Sequence, residues 1–203
     1  LNLERAGITL VSSAGLIQRV ESLLDHDMIR SHESAAAHLY GIVKTVWERI
    51  CADFPVKTLS EGDVQSWIVK EFSGRGLETD HPPIVAAGAH SGNPHYAPEN
   101  GGAPLKKGEV LQLDLWAKKP GGIYADISWV GVLADEVPPD VARVFSAVAS
   151  ARDGCIDFIN SRLSQNRQVE GREVDTHARR ILEEYGYGGY IQHRTGHSID
   201  TAS

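Results

Sequence analysis

The sequence is poor in cysteine and has no excess of positive charge. Cys51 and Cys155 are its two cysteines among 203 residues, far apart and without CxxC spacing. That excludes a disulfide scaffold and points to two free thiols in a reducing, cytoplasmic setting. Both are read as small buried apolar residues. Lys and Arg total 20 against 27 Asp and Glu, a formal net charge of -7. This balance argues against binding nucleic acid by bulk charge and against a basic membrane-surface module. No apolar run approaches the roughly 20 residues needed to span a bilayer. There is no Walker loop, no GxGxxG after a strand and no GxSxG elbow, so nucleotide-binding and serine-hydrolase readings lack their motifs.

What is present is an ordinary globular composition, 41% hydrophobic and 23% charged, in a chain long enough to bury a core unaided. Residues 1–30 read as a lead-in or the remnant of an N-terminal domain. It holds a short strand at Ile8–Val11 and a short helix carrying Leu16, Val20, Leu23 and Leu24 that ends near Asp25–Asp27. Residues 31–203 read as one domain. Leu39, Ile42, Val43, Val46, Trp47 and Ile50 recur with helical period, predicting a helix over 33–52. Ser60 with Asp63 resembles a capping box opening a second helix that Gly74 and Gly76 stop. A strand at Ile84–Ala87 and a polar loop from His90 to Gly102 follow. Strands at 109–117 and 123–132 flank a turn at Lys119–Gly122.

Pro138 and Pro139 begin a long helix whose face carries Val141, Val144, Phe145, Val148, Cys155, Ile156 and Ile159. Another helix carries Val174, Ile181, Leu182 and Tyr185, with Gly186 at its C-cap. A strand at Tyr190–Gln192 then leads into His193–His197. The order helix, helix, strand, His-bearing segment thus occurs twice, which predicts an α+β fold of two related halves sharing one sheet.

The sharpest chemical signal is Asp114 with Asp126. A hairpin centred on Pro120 places them directly opposite each other on one face with Gln112, Tyr124 and Ser128. Leu111, Leu113, Leu115, Ile123, Ala125 and Ile127 form the core face. Opposed carboxylates repel, and a divalent cation such as manganese, magnesium or cobalt is the simplest remedy. The alternative is a bulge that shifts the register and leaves both aspartates on a solvated rim.

Nine histidines are present. His26, His32, His38 and His81 read as surface, helix-start or turn residues. His90 and His95 lie in the polar loop. His193 and His197 are not an HExxH pair, because Thr195 and Gly196 intervene and no Glu follows His193. His197 is either a structural imidazole or the nitrogen partner of an aspartate-bound metal.

Four segments together resemble the pita-bread metallopeptidases: methionine aminopeptidases, prolidases and Xaa-Pro aminopeptidases. They are Pro83–Ala86 through Pro94–Tyr96, Leu105–Asp114, Tyr124–Ser128 and His193–His197. The resemblance implies a pita-bread fold and two divalent metal ions, manganese first, with cobalt or zinc as alternatives. It places metal ligands on Asp114, Asp126 and His197, a catalytic and substrate-contacting role on His95, and a substrate-binding role on His193. His193 favours the proline-specific branches. The implied reaction removes the residue before proline from a peptide N-terminus, or splits Xaa-Pro dipeptides.

Peptide is then the substrate, and a homodimer the assembly that relatives suggest. The family's last two ligands are glutamates expected beyond Ser203, so residues 1–203 alone are expected to be inactive. Trp129, Ser198 and Asp200 depart from the family's usual residues. Two other readings stay open: a peptide-binding module without catalysis, and a creatinase-like amidinohydrolase.

Overall fold

The computed structural model describes residues 7–9, 11–13, 15–17 and 23–201. Much of the expected lead-in lies outside these residues. Of the expected strand, Ile8, Thr9 and Val11 are described and are not in strand conformation. Of the expected short helix, Gly15–Ile17 is helical and Val20 lies outside the described residues.

Helix α1 spans His26–Asp53 and starts earlier than its apolar period suggests. Asp25 is the reason, since its side chain accepts from the Met28 amide at 2.8 Å. A carboxylate there satisfies a free N–H and faces the positive helix end, so the acidic residues open this helix rather than closing the one before. Helix α2 spans Glu61–Gly74 with the expected capping box. The Asp63 amide donates to Ser60 Oγ at 3.2 Å, and the Ser60 amide returns the bond to Asp63 at 2.9 Å.

Strands β1 (Ile84–Ala87), β2 (Val110–Ala117) and β3 (Ala125–Val132) form an antiparallel sheet in that order, with β2 central. Leu111, Leu113, Leu115 and Ala117 are fully buried. They pack with Leu39, Ile42, Val46 and Ile50 of α1 and Val64, Ile68 and Phe72 of α2 in one core. The strict alternation of β2 follows from its pleat: odd positions face the helices and even positions face away.

The hairpin register differs from the expectation. Asp114 pairs with Ser128, and Asp126 with Trp116. The loop is longer than a tight turn, running from Lys118 to Tyr124 and centred on Gly121 rather than Pro120. Moving the centre by one residue shifts the partner by two, so Asp114 and Asp126 keep a common face but sit diagonally.

Helices α3 (Pro139–Ser164) and α4 (Gly171–Glu184) pack on each other around Ala151, Cys155 and Ala178. The expected apolar face of α3 is covered only in part: Val144, Phe145, Val148 and Ile156 are exposed, whereas Val141 and Ile159 are half-buried. Cys155 is buried as expected, whereas Cys51 is exposed on α1. Gly186 ends α4 with φ +83°, and the Tyr187 amide returns to the Leu182 carbonyl at 2.8 Å. The expected strand at 190–192 is absent; Gly188–Tyr190 is a 3-10 turn instead. None of these residues joins the β1–β3 ladder, and without a partner an extended segment is not a strand. Among the described residues, no helix is long and apolar enough to cross a membrane.

Candidate metal centre

The outer face of the β2–β3 ribbon carries both aspartates. Asp114 accepts from Ser128 Oγ at 2.7 Å across the ladder. Asp126, opposite Trp116 in the ladder, meets no hydroxyl donor among the described residues. Burial pushes its carboxyl above the usual range, the Asp114 charge pushes it further, and His197 counters in part.

His197 reaches the ribbon from the far end of the chain. Its Nε2 lies 3.4 Å from Asp126 Oδ2. The docking is built by the residues after it: the Tyr124 amide donates to the Asp200 carbonyl at 3.1 Å, and Lys118 Nζ to the Thr201 carbonyl at 2.6 Å. The residues before it are gripped by α4. Asp175 accepts from the Thr195 amide at 2.8 Å and hydroxyl at 3.1 Å, and Arg179 donates to the His193 carbonyl at 3.1 Å.

The other ring nitrogen fixes the tautomer. His197 Nδ1 lies 2.8 Å from the Ser198 carbonyl oxygen, which can only accept, so Nδ1 carries a proton. In the neutral ring, Nε2 then presents a lone pair toward a carboxylate oxygen 3.4 Å away. Two lone pairs facing each other call for something positive between them. A proton on Nε2 would serve, and so would a cation. Two ligands on one ion, each about 2.1 Å from it, stand about this far apart. A backbone carbonyl on the opposite nitrogen is also the usual support of a metal-bound imidazole. The donor set therefore fits a divalent ion. Convergence is incomplete: among the described residues no group of three His, Cys, Asp or Glu side chains closes on one point.

The remaining expected site residues lie apart from this contact. His95 is exposed, and its amide donates to Asn93 Oδ1 at 3.0 Å. His193 is exposed too, its Nδ1 donating to the Arg194 carbonyl at 2.7 Å. It lines a cleft of about 890 Å³ together with Pro94, Gln112, Val148 and Tyr190. Pro94 precedes His95 and Gln112 shares the aspartate face, so the cleft borders both the polar loop and the ribbon.

One residue escaped the sequence reading altogether. Glu61, the first residue of α2, is fully buried. Its Oε1 accepts from the Ala87 amide and from His90 Nδ1, each at 2.8 Å. Its Oε2 accepts from the Tyr96 hydroxyl at 2.6 Å and the Ala103 amide at 2.7 Å. Burial alone would raise its pKa; the bonds from Tyr96, Ala87, Ala103 and His90 outweigh burial and hold it below the usual range. The Tyr96 hydroxyl is pushed up to about 12 by burial and by that carboxylate. Asp175 and Arg179 were also missed, although their i, i+4 spacing on a helix was a visible cue.

Comparison with known proteins bears on the family and the fold. A curated relative named "Probable dipeptidase PepE" from Mycobacterium tuberculosis is 25% identical over 193 residues, covering 95% of this chain and 48% of that protein. A Xaa-Pro dipeptidase of Lactobacillus delbrueckii is 28% identical over 61% of this chain and 31% of its own length. The crystal structure of a prolidase from Thermococcus sibiricus superposes with a TM-score of 0.71 at 27% identity, covering 98% of this chain and 52% of that one. The fold is thus that of the pita-bread prolidases, and the chain spans about half the length of PepE and of the prolidase. The sequence profile of metallopeptidase family M24 matches residues 30–202, from within α1 through the ribbon to the His197 segment, and the chain belongs to that family.

Proposed function

We propose that this chain carries part of the site of a dinuclear metal-dependent peptidase, which removes the N-terminal residue before proline or splits Xaa-Pro dipeptides. The observation that supports it most is the contact of His197 Nε2 with Asp126 Oδ2 at 3.4 Å, on the face Asp126 shares with Asp114. The prolidase and Xaa-Pro dipeptidase names of relatives supply the substrate class.

Asp114, Asp126 and His197 are the residues that would hold metal, with manganese the preferred ion and cobalt or zinc the alternatives. When bound, such ions lower the pKa of water and polarise a carbonyl. The chain's own residues do the rest. The Ser128 hydroxyl orients the Asp114 carboxylate by donating to Oδ1. The Ser198 carbonyl holds the His197 tautomer with Nε2 free to coordinate. His95, on the loop bordering the cleft, would hydrogen-bond the substrate and assist its proton transfers. His193, lining that cleft, would contact the substrate beyond the scissile bond.

The test is release of proline from Xaa-Pro dipeptides, and of the first residue from Xaa-Pro peptides, by the full natural protein. Activity with manganese, cobalt or zinc that EDTA abolishes is the expected result. No hydrolysis with any of the three ions overturns the enzyme reading. The incomplete three-ligand convergence favours a second reading, a peptide-binding module without catalysis. Peptide binding that Asp114→Ala leaves unchanged, with no hydrolysis by the parent protein, is its signature.

A further inference from the structure

The loop that carries His95 has no regular structure of its own after the 3-10 turn at Gly88–Gly92. It is nevertheless tied at both sides of His95 to one buried group. Glu61 takes the end of β1 through the Ala87 amide, the 3-10 turn through His90, the far side of the loop through Tyr96, and its return through Ala103. His90 and Tyr96 also stack, ring centres 4.3 Å apart and 21° from parallel. The α2 N-terminus completes the seat: its Glu61 and Gly62 amides donate to the Ala103 and Gly101 carbonyls at 3.0 and 2.9 Å. The packing leaves little slack. A Cβ at Gly102 would stand 2.8 Å from Glu61 Oε2, and Gly102 has φ +72°.

A capping role does not account for this. The cap of α2 is already provided by Ser60 and Asp63. A fully buried carboxylate is costly to desolvate, and it persists where several donors compensate it. Here those donors come from four points of one loop system. The residue next to the strongest donor, Tyr96, is His95.

We propose that Glu61 is a positioning residue for His95, acting through the Tyr96 hydroxyl and the His90–Tyr96 stack to fix where the loop holds the His95 imidazole. The proposal rests on the peptidase reading for its kinetic consequence, but not for its structural one. Displacement of a substrate-contacting group by a change far from the chemistry costs on the order of 10²-fold in rate.

Tyr96→Phe is the decisive variant, because it removes one hydrogen bond and keeps the stack. Glu61→Gln is the second, keeping shape while replacing an acceptor oxygen with a donor. Three readings are taken on the full natural protein: kcat and KM on an Xaa-Pro substrate with manganese, the melting temperature, and amide hydrogen exchange at His95 and Tyr96. The expected result for Tyr96→Phe is faster exchange at these amides and a kcat loss of about 10- to 100-fold. KM should change by less than about threefold, because the role is orientation rather than uniform binding. The fold should persist on heating to near the parent temperature.

Unchanged exchange together with parental kcat in both variants overturns the proposal. If exchange speeds up and kcat falls only in proportion to lost folded protein, the role is structural alone and the proposal also fails. A parent protein inactive with every metal sinks the peptidase reading instead, and the exchange measurement still decides whether Glu61 fixes His95.

Discussion

The Tyr124 amide donates to the Asp200 carbonyl at 3.1 Å, tying the hairpin loop to the segment that follows His197. Lys118, at the other end of the loop, reinforces the tie through the Thr201 carbonyl and leans over the Tyr124 ring with Nζ 4.8 Å from its centre. The loop is thereby both the closure of the ribbon and the dock for a histidine more than 70 residues downstream of Tyr124.

Lys118→Ala should loosen that dock. One charge-assisted hydrogen bond contributes about 1.5–3 kcal/mol, so local opening at the Tyr124 amide should rise by at least about tenfold. Hydrogen exchange followed by mass spectrometry reads this directly. Exchange at Tyr124 as slow as in the parent would show that the backbone bond alone suffices.

Asp126→Asn and His197→Ala should each lower kcat/KM on Xaa-Pro peptides by about 10²-fold or more, together with manganese affinity. Ser128→Ala touches only the hydroxyl that orients Asp114, and should cost about 10- to 100-fold. Calorimetric titration with manganese beside the peptidase assay separates lost metal from lost chemistry.

Glu61 predicts a stability change with acid. Its folded pKa lies below the unfolded value of about 4.5. A group shifted in this direction contributes stability in full above the unfolded pKa, and the contribution disappears as pH falls through the folded one. Urea midpoints measured downward from pH 7 should therefore fall as the solution passes below about 4.5. Glu61→Gln should show a flatter profile over that interval. It should also be less stable at pH 7 by about 1–3 kcal/mol, because its amide group confronts backbone donors.

Gly131→Ala should overpack the core face of β3. The added Cβ would stand 2.5 Å from Trp47 Cη2. A loss of about 1–3 kcal/mol is expected, visible as a lower melting temperature. Trp47→Phe in the same chain should recover part of it, since it clears the space and removes a buried Nε1 that has no partner among the described residues.

Local rules were legible where they depend on neighbours in sequence. The Ser60–Asp63 box, the alternation of β2 and the shared face of Asp114 and Asp126 follow from caps and pleats a few residues long. The exact ladder partner of Asp114 was not legible, because it depends on how many of residues 118–124 leave the ladder. Glu61 was opaque for a deeper reason. A glutamate at a helix start looks like a solvated charge, and its burial depends on donors 26 to 42 residues ahead of it in the chain. The apolar face of α3 misled in the other direction, since periodicity reports that a face could be covered and not that it is.

The diagonal placement of the two aspartates also says how this ribbon tolerates change. Sliding β3 past β2 by two positions keeps both acids outward and alters only their separation, so lengthening or trimming the connector can tune the gap without dismantling the pair. Sliding by a single position would turn one acid toward the leucines of the interior. Drift among homologous hairpins is therefore expected in even steps, with the odd ones missing.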